Sequence, residues 1–471
     1  MGLRTDNTFK SGFVMVFALL IGLAAAFVIA TKGFVFGGLI MVALAGLVII
    51  YFTAFDVKFG MIATLVISFF ISFSTRELKL GRYPVGMVID FLLILMVIGF
   101  LLGLKKKGAY KFEGNAMNIG LLVWLILNML EFFNPYAPSK MGWIYAVRNN
   151  LNIIMMYFLF YYALDSMKYL NRVITIWCTI MFLACLYALK QKFFGLSNAE
   201  YHLVYDDPLR RNLYITWGKL RLFSFLNDPM SFGIIVVYSI ILNIGLLFAK
   251  LKTKVKVMLG VLLGLLLYVL LMTSTRTAYF LLPLGMIVFA LVSMNKKVLA
   301  LMGFAMVIGI GVVLMPGGGG SMHIFKSAFQ GNDDPSMNVR SENQKFIRPY
   351  ILDKPLGWGL ASTGGWGRKF NRGTVLGHFP PDSEYVRIAI ETGWVGLLLW
   401  FIILILMFRQ GLINYFKVKD ENRKIYYATF IAIFYLIIVA QYPQEALRVP
   451  PTGIFSAFVM AVLAKLKDIE C

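Results

Sequence analysis

Negative charge is scarce in this 471-residue chain: 23 Asp and Glu stand against 45 Lys and Arg, and charged residues make up only 14% of the whole. A soluble globular protein carries roughly 25%. Cysteine and histidine are equally thin, at three each. Cys178, Cys185 and Cys471 form neither a disulfide framework nor a metal-ligand spacing. His202, His323 and His378 are too scattered to read as a metal site, so no metal and no cofactor is expected. No repeat of fixed period and no second, independently folding domain is visible. The formal net charge of +22 would point a soluble chain toward nucleic acid. In a chain this apolar it has a plainer origin, because short cytoplasmic loops of membrane proteins collect Lys and Arg.

What the sequence has in abundance is apolar length. Hydrophobic residues make up 59%, and runs of about 17–22 residues recur from end to end, each able to cross a ~30 Å hydrocarbon core as a helix. Backbone groups in lipid must bond internally, so the expected fold is an all-α integral membrane protein with about 12–14 transmembrane helices. The spans fall at roughly 11–30, 34–52, 60–73, 84–104, 116–133, 143–164, 172–190, 230–249, 257–273, 278–293, 298–315, 392–408, 425–441 and 451–464. Arg4 and Lys10 precede the first run as in a signal peptide, but its length reads as a retained helix. Residues 1–315 therefore form a bundle of about eleven spans, 316–391 one large loop, and 392–471 a closing group of about three spans.

Orientation follows from the short loops. With the N-terminus inside, the inner loops hold Lys105, Lys106, Lys107, Lys111, Lys168, Arg172, Lys250, Lys252, Lys254, Lys256, Lys296, Lys297, Arg409, Lys417, Lys419, Arg423, Lys424, Lys465 and Lys467. Sorting all 45 basic residues this way leaves about 22 inside and about 23 outside, most of the latter in the long segments 191–229 and 316–391. Long segments escape the positive-inside rule, and so many outer cations point to an anionic ligand. Within 316–391, Gly317–Gly320 reads as a hinge, Gln330–Pro335 as a loop, and short helices are expected near Val339–Leu352 and Ser383–Glu391.

Four outer constellations hold residues capable of chemistry. Thr273-Ser274-Thr275-Arg276-Thr277 sets four hydroxyls beside an arginine, which either snorkels to the interface or forks onto phosphate. Arg221 precedes Asp228-Pro229, itself a helix N-cap and first-turn proline. Arg340 and Arg348-Pro349 lead to Pro355-Leu356-Gly357-Trp358-Gly359. Pro380-Pro381 then stops the loop before Asp382, Tyr385 and Arg387, where Asp382 is either a cap or a general base, and Glu384, Arg387 and Glu391 can form an ion network. Arg148 lies near the outer end of the sixth span. Asp90 lies within the fourth, marking either an ion path or a buried pair with an arginine.

Taken in order, these elements resemble the O-antigen ligase and O-antigen polymerase family of bacterial membrane glycosyltransferases. The family's Leu-Thr-x-Ser-Arg-Gly-Ala-like turn is matched by Met272-Thr273-Ser274-Thr275-Arg276-Thr277-Ala278. Its arginine about fifteen residues before a Pro-Leu-x-Gly-x-Gly turn is matched by Arg340 before Pro355–Gly359. Its His-Asn-x-Tyr-Leu and Glu-x-Gly stretches are matched by Asp382-Ser383-Glu384-Tyr385-Val386 and Glu391-Thr392-Gly393. The similarity covers about residues 140–460. The family's histidine aligns with Asp382, a departure that leaves Asp382 or His378, four residues upstream, as the base.

The resemblance implies a GT-C-like fold and metal-independent, inverting glycan transfer at the periplasmic face of the bacterial inner membrane. The donor would be a polyprenyl-pyrophosphate-linked glycan such as one on undecaprenyl pyrophosphate, and the acceptor another glycan or lipid A core. Membrane lipids are partners and nucleic acid is not. Arg276, Arg340, Arg221 and Arg148 are the foremost candidates to hold the pyrophosphate, with Arg348, Tyr385 and Arg387 nearby. The competing reading is a flippase or transporter of lipid-linked oligosaccharide, which would favour charges distributed through the spans and internal pseudo-symmetry.

Overall fold

The computed structural model of the chain describes residues 34–78, 85–107, 113–216, 218–226, 228–300 and 335–469, with isolated positions between 303 and 311. The expected span at 11–30, most of that at 298–315, His323, Cys471, Gly317–Gly320 and most of Gln330–Pro335 lie outside the described residues. Each of the other twelve expected spans coincides with a helix: Phe34–Phe55, Val57–Glu77, Met87–Lys107, Ala116–Leu130, Lys140–Ala163, Met167–Phe193, Pro229–Phe248, Thr253–Thr273, Arg276–Ser293, Gly393–Lys417, Glu421–Ala440 and Pro450–Lys465. Among the described residues, eight helices are long and apolar enough to cross a membrane by that measure alone. The chain is an all-α integral membrane protein.

Local chemistry sets where the helices begin. Asp56, Asn115, Ser139, Ser166, Asp228 and Asp420 each accept a hydrogen bond from a first-turn backbone N–H, which satisfies donors a helix end leaves open. Pro229–Phe248 and Pro450–Lys465 are buried along almost their whole length, and Pro229–Phe248 forms the centre of one helix group. It packs against Thr253–Thr273, Arg276–Ser293 and Glu421–Ala440. Small residues permit that approach, as expected where lipid offers no hydrophobic drive between helices: a methyl group at Gly245 would collide with Thr429. Polar ties add specificity, including Trp177 Nε1 to Ser239 Oγ at 3.0 Å and Asn414 Nδ2 to the Leu463 carbonyl at 2.9 Å. The perimeter shows the reverse of a soluble surface, with Ile94, Leu101, Met258, Val261, Ile402 and Ile405 exposed. An apolar surface of that kind needs lipid.

The two ends of the bundle are distinct. At one end Lys58 pairs with Asp165, Lys465 with Glu113 at 2.8 Å, and the Lys250 backbone N–H donates to Asn422. At the other, Arg76 pairs with Glu200 at 3.2 Å, Asn134 donates to the Leu356 carbonyl at 3.2 Å, and Gln444 donates to Asp228 at 2.8 Å. Every one of these ties joins loops that an alternating topology puts on the same side. The second end also carries more secondary structure than the sequence indicates. Segment 191–229 holds helices Asn198–Tyr205 and Pro208–Tyr214 and a hairpin pairing Ile215 with Leu220. Segment 335–391 holds Pro335–Asp353, Gly364–Phe370, Val375–His378 and Glu384–Glu391. The helices at Gly364 and Val375 span seven and four residues, too short for an apolar period to register.

An alternating topology with the arginine-rich end outside makes Glu342→Cys reactive toward a membrane-impermeant maleimide in intact spheroplasts. Lys419→Cys is expected to react only after lysis, both in a background lacking the native cysteines. The reverse labelling pattern would invert the orientation.

Candidate functional site

The family-like glycine motifs meet face to face. Backbone N–H groups of Trp358 and Gly359 donate to the carbonyls of Ile390 and Glu391 at 2.9 and 3.0 Å, and that of Val395 donates to the Pro355 carbonyl at 3.3 Å. Gly357 has φ +77° and Gly393 φ +70°. A Cβ at Gly393 would run into the Pro355 carbonyl, and one at Gly357 would sit 2.6 Å from the Glu391 carbonyl. Two backbones this close, both in the left-handed region, require glycine. Motifs whose glycines Gly357 and Gly393 lie 36 positions apart therefore form one seam that seats the helix Glu384–Glu391 against the start of helix Gly393–Lys417.

The seam is locked by a turn that sequence reasoning did not single out, residues 441–448 between the last two membrane helices. The Glu384 N–H and the Ser383 hydroxyl donate to the Gln441 carbonyl at 2.9 and 3.2 Å. Arg387 pairs with Glu445 and lies 3.6 Å from Glu391, while Arg448 reaches Glu384 and Glu391, each at 3.4 Å. The result is a chain of alternating charge, Glu445–Arg387–Glu391–Arg448–Glu384, with three carboxylates for two guanidiniums. The expected network of Glu384, Arg387 and Glu391 thus exists, but Glu384 completes it through Arg448. Glu384 Oε2 is buried with no hydrogen-bond partner and borders a cavity of about 40 Å³ lined also by Asn128, Asn150, Gln441 and Arg448. Burial pushes the Glu384 carboxyl above its ordinary value, Arg448 pulls it back, and the neighbouring Glu445 adds to the rise. Burial alone would weaken the hold of Arg448 on its proton; Glu384, Glu391 and Glu445 outweigh it and raise it.

The same turn gathers the candidate ligands. Arg340, half-buried on Pro335–Asp353, donates from Nη2 to the Pro443 carbonyl at 3.4 Å. It shares a small pocket with Asn343, Phe379, Asp382 and Ser383. Asp382 is exposed and accepts a hydrogen bond from Asn343 Nδ2 at 3.1 Å. It does not cap the helix, whose N-cap is Ser383. On the other flank, Gln444 Nε2 donates to Asp228, which caps Pro229–Phe248 as the sequence indicates. Arg221 donates to the carbonyls of Thr273 and Leu213 at 3.2 and 2.8 Å and to Thr275 Oγ1 at 3.0 Å. Burial lowers its proton affinity, with Asp228 opposing and Arg276 adding to that effect. Ser274, at φ +49°, turns the chain so that Arg276 opens the next helix beside Arg221.

Other candidates lie elsewhere. Arg148 pairs with Asp90 at 3.3 Å, so the intramembrane Asp90 is the arginine pair foreseen as one alternative. Arg348 is exposed and does not line the Arg340 pocket. Tyr385 turns inward, its hydroxyl donating to the Ile438 carbonyl at 2.6 Å. Arg387 is committed to the ion chain. His378 is exposed at the end of its short helix. Among the described residues no group of His, Cys, Asp and Glu is placed to hold a metal ion. The residues that sequence reasoning missed are Gln444, Glu445 and Arg448. The one available signal was Gln444, Glu445 and Arg448 crowded into a short connection between two apolar runs.

Removing Arg448 leaves Glu384 and Glu391 without their shared counter-ion. Breaking a buried pair costs about 3–5 kcal/mol, so Arg448→Ala is expected to lower the melting temperature in detergent sharply, and Glu384→Gln far less. The sign of the pH effect follows from the raised Glu384 carboxyl: the folded state holds its proton more tightly than the unfolded chain. Its unfavourable contribution is absent below the ordinary value of 4.5 and grows as pH rises through the folded value. The wild-type melting temperature is therefore expected to fall relative to Glu384→Gln across that interval. Parallel pH curves for the two proteins would remove Glu384 from this role.

Comparison with known proteins agrees with the motif reading. No curated protein matches the chain. Residues 261–401 match the model of the O-antigen ligase family. That interval runs from the helix preceding Arg276, through Arg340, the Pro355–Gly359 turn and Asp382, to the helix after Gly393, and ends before the 441–448 turn. The chain carries an O-antigen ligase-family domain spanning residues 261–401.

Proposed function

We propose that the chain transfers a glycan from a polyprenyl-diphosphate donor to a sugar hydroxyl, acting as a polysaccharide polymerase or ligase at the outer face of the bacterial inner membrane. The observation that carries this reading is the 443–444 segment, which touches Arg340 on one flank and the Asp228–Arg221–Arg276 corner on the other. Cations thus gather at the level where a lipid-anchored diphosphate would emerge from the bilayer. In the reaction the acceptor oxygen loses its proton to a carboxylate and attacks the anomeric carbon from the face opposite the leaving group. The carbon–oxygen bond to the diphosphate breaks and the electron pair leaves with the phosphate. Preorganised donors aimed at that developing charge supply much of the rate in such displacements. Arginine suits the task because its fork matches two phosphate oxygens. Asp382, exposed in the Arg340 pocket, is the proton acceptor in this reading, with His378 the alternative. The matched domain supports glycan transfer of the O-antigen ligase type.

The test is to incubate the purified full chain with lipid-linked oligosaccharide and size the products. Longer glycan on polyprenyl marks a polymerase, and glycan on lipid A core a ligase. Unchanged donor under both conditions would defeat the reading. Arg276→Lys keeps the charge but loses the fork, and is expected to lose most activity while inserting normally. Asp382→Asn is expected to lower turnover by roughly 100-fold or more, with His378→Ala nearly silent. The opposite outcome, an active Asp382→Asn and a dead His378→Ala, would move the proton to His378.

A further inference from the structure

The stretch 354–381 contains no Asp or Glu, while it holds Lys354, Arg368, Lys369 and Arg372. Three of these lie on or beside the short helix Gly364–Phe370, and all three are exposed. They surround an aromatic group built from two distant parts of the chain. Tyr145, on the membrane helix Lys140–Ala163, stacks on Trp366 with centroids 4.8 Å apart and planes at 28°, and on Phe370 at 5.5 Å and 26°. Lys369 Nζ lies 5.0, 5.7 and 5.2 Å from the centroids of Tyr145, Trp366 and Phe370. All three rings are only half-buried.

This group is rigidly mounted. Ala146, Val147, Leu360 and Ala361 form a small buried core beneath it, against which Trp366 packs. A methyl at Gly142 would meet Ala361 and Phe370 at 3.1 and 3.3 Å, so helix and loop are in close contact. It is also joined to the candidate site: Thr363 Oγ1 and the Gly364 N–H, at the start of the same short helix, both donate to the Phe379 carbonyl, at 2.9 and 3.2 Å. Phe379 lines the Arg340–Asp382 pocket. Arg148, which does not reach the 441–448 turn, stands here, its guanidinium 5.9 Å from the Tyr145 ring.

We propose that Tyr145, Trp366 and Phe370, with Arg368, Lys369 and Arg372, form a subsite for an anionic glycan, one bearing carboxylate or phosphate groups on its sugars. Half-buried rings supply amphipathic surface for the apolar C–H faces of pyranoses. The cationic rim, drawn from a stretch without Asp or Glu, supplies charge complementarity that a neutral glycan could not use. Lys369, seated over the rings, is positioned to pair with an acidic substituent of a sugar stacked there. This inference rests on the glycan-transfer reading and names the class of glycan.

The test measures binding without turnover. The full chain in phosphatidylcholine nanodiscs is titrated with fluorescently labelled tetragalacturonate and with its methyl ester, which has the same backbone and no charge. The acid is expected to bind about 10-fold or more tightly than the ester at low salt, the margin narrowing as salt rises. The exposed-residue variant Arg368→Gln/Lys369→Gln/Arg372→Gln is expected to lose that margin, and Trp366→Ala to weaken both forms. Equal binding of acid and ester, or a triple variant that still discriminates, would overturn the proposal. Arg340→Gln separates the two readings, since it should abolish transfer and leave tetragalacturonate binding intact. Selective binding in a protein that transfers nothing would sink the enzymatic reading alone. Transfer without selective binding would sink the subsite alone.

Discussion

Charges taken out of water near a membrane must find one another, and the arginine-rich end of this protein is organised by that requirement. An unpaired buried carboxylate or guanidinium costs several kcal/mol even after relaxation. Glu384, Glu391 and Arg387 on one short helix therefore oblige the chain to supply Arg448 and Glu445 from elsewhere. The turn between the last two helices does this, and so fixes the helix Glu384–Glu391 against the bundle. Because its neighbouring positions also meet Arg340 and Asp228, the ion chain sets the spacing of the candidate ligands without itself facing the Arg340 pocket. The surplus carboxylate is the least comfortable member, and its partnerless oxygen stands beside a cavity large enough for a few waters.

Backbone docking supplies the second restraint. Pro355–Gly359 and Glu391–Gly393 approach too closely for any Cβ at Gly357 or Gly393. Motifs that look like separate signatures along the sequence are thus two sides of a single contact. Glu391 serves both systems, since Oε1 accepts from the Ala361 N–H at 3.0 Å while Oε2 faces Arg448. A substitution at Glu391 would therefore disturb the seam and the ion chain together, whereas one at Asp382, exposed beyond the helix N-cap, would disturb neither.

The membrane helices were legible because lipid imposes one rule on every span: enough apolar residues in a row. Runs such as 230–249 and 425–441 emerge as helices Pro229–Phe248 and Glu421–Ala440 with boundaries shifted by a few residues. The Asp228 cap was legible for the same local reason, a carboxylate placed beside Pro229. Relations between distant segments were not legible. Nothing in the spacing of Arg448 announces that it meets Glu384, 64 positions earlier, because the pairing depends on how the closing helices pack. The fates of Arg148 and Tyr385 were hidden likewise. Arg148 turns to Asp90 on another helix, and Tyr385 reaches a carbonyl on Glu421–Ala440. The helices Gly364–Phe370 and Val375–His378 escaped notice because one or two turns leave no periodicity to read.

The choice between the two basic side chains adds an argument that net charge alone cannot make. Among the described residues, the lysine-rich end holds only Arg172, Arg409 and Arg423, and the other twelve of fifteen arginines fall at the opposite end or within a turn or two of it. A rule concerned only with positive charge would not separate Lys from Arg so unevenly. Guanidinium is planar, forks onto two oxygens and tolerates partial burial, whereas ammonium is a strongly hydrated point charge. Several of these arginines spend their forks on the protein: Arg221 on two carbonyls and a hydroxyl, Arg76 on Glu200 and the carbonyls of Leu226 and Ser224. That use stiffens the segment 191–229 against the spans and holds the Thr273–Arg276 turn in place. The arginine-rich end is therefore at once frame and charged surface, and the candidate ligands Arg276 and Arg340 stand beside elements, Arg221 and the 441–448 turn, that are themselves held by hydrogen bonds and ion pairs.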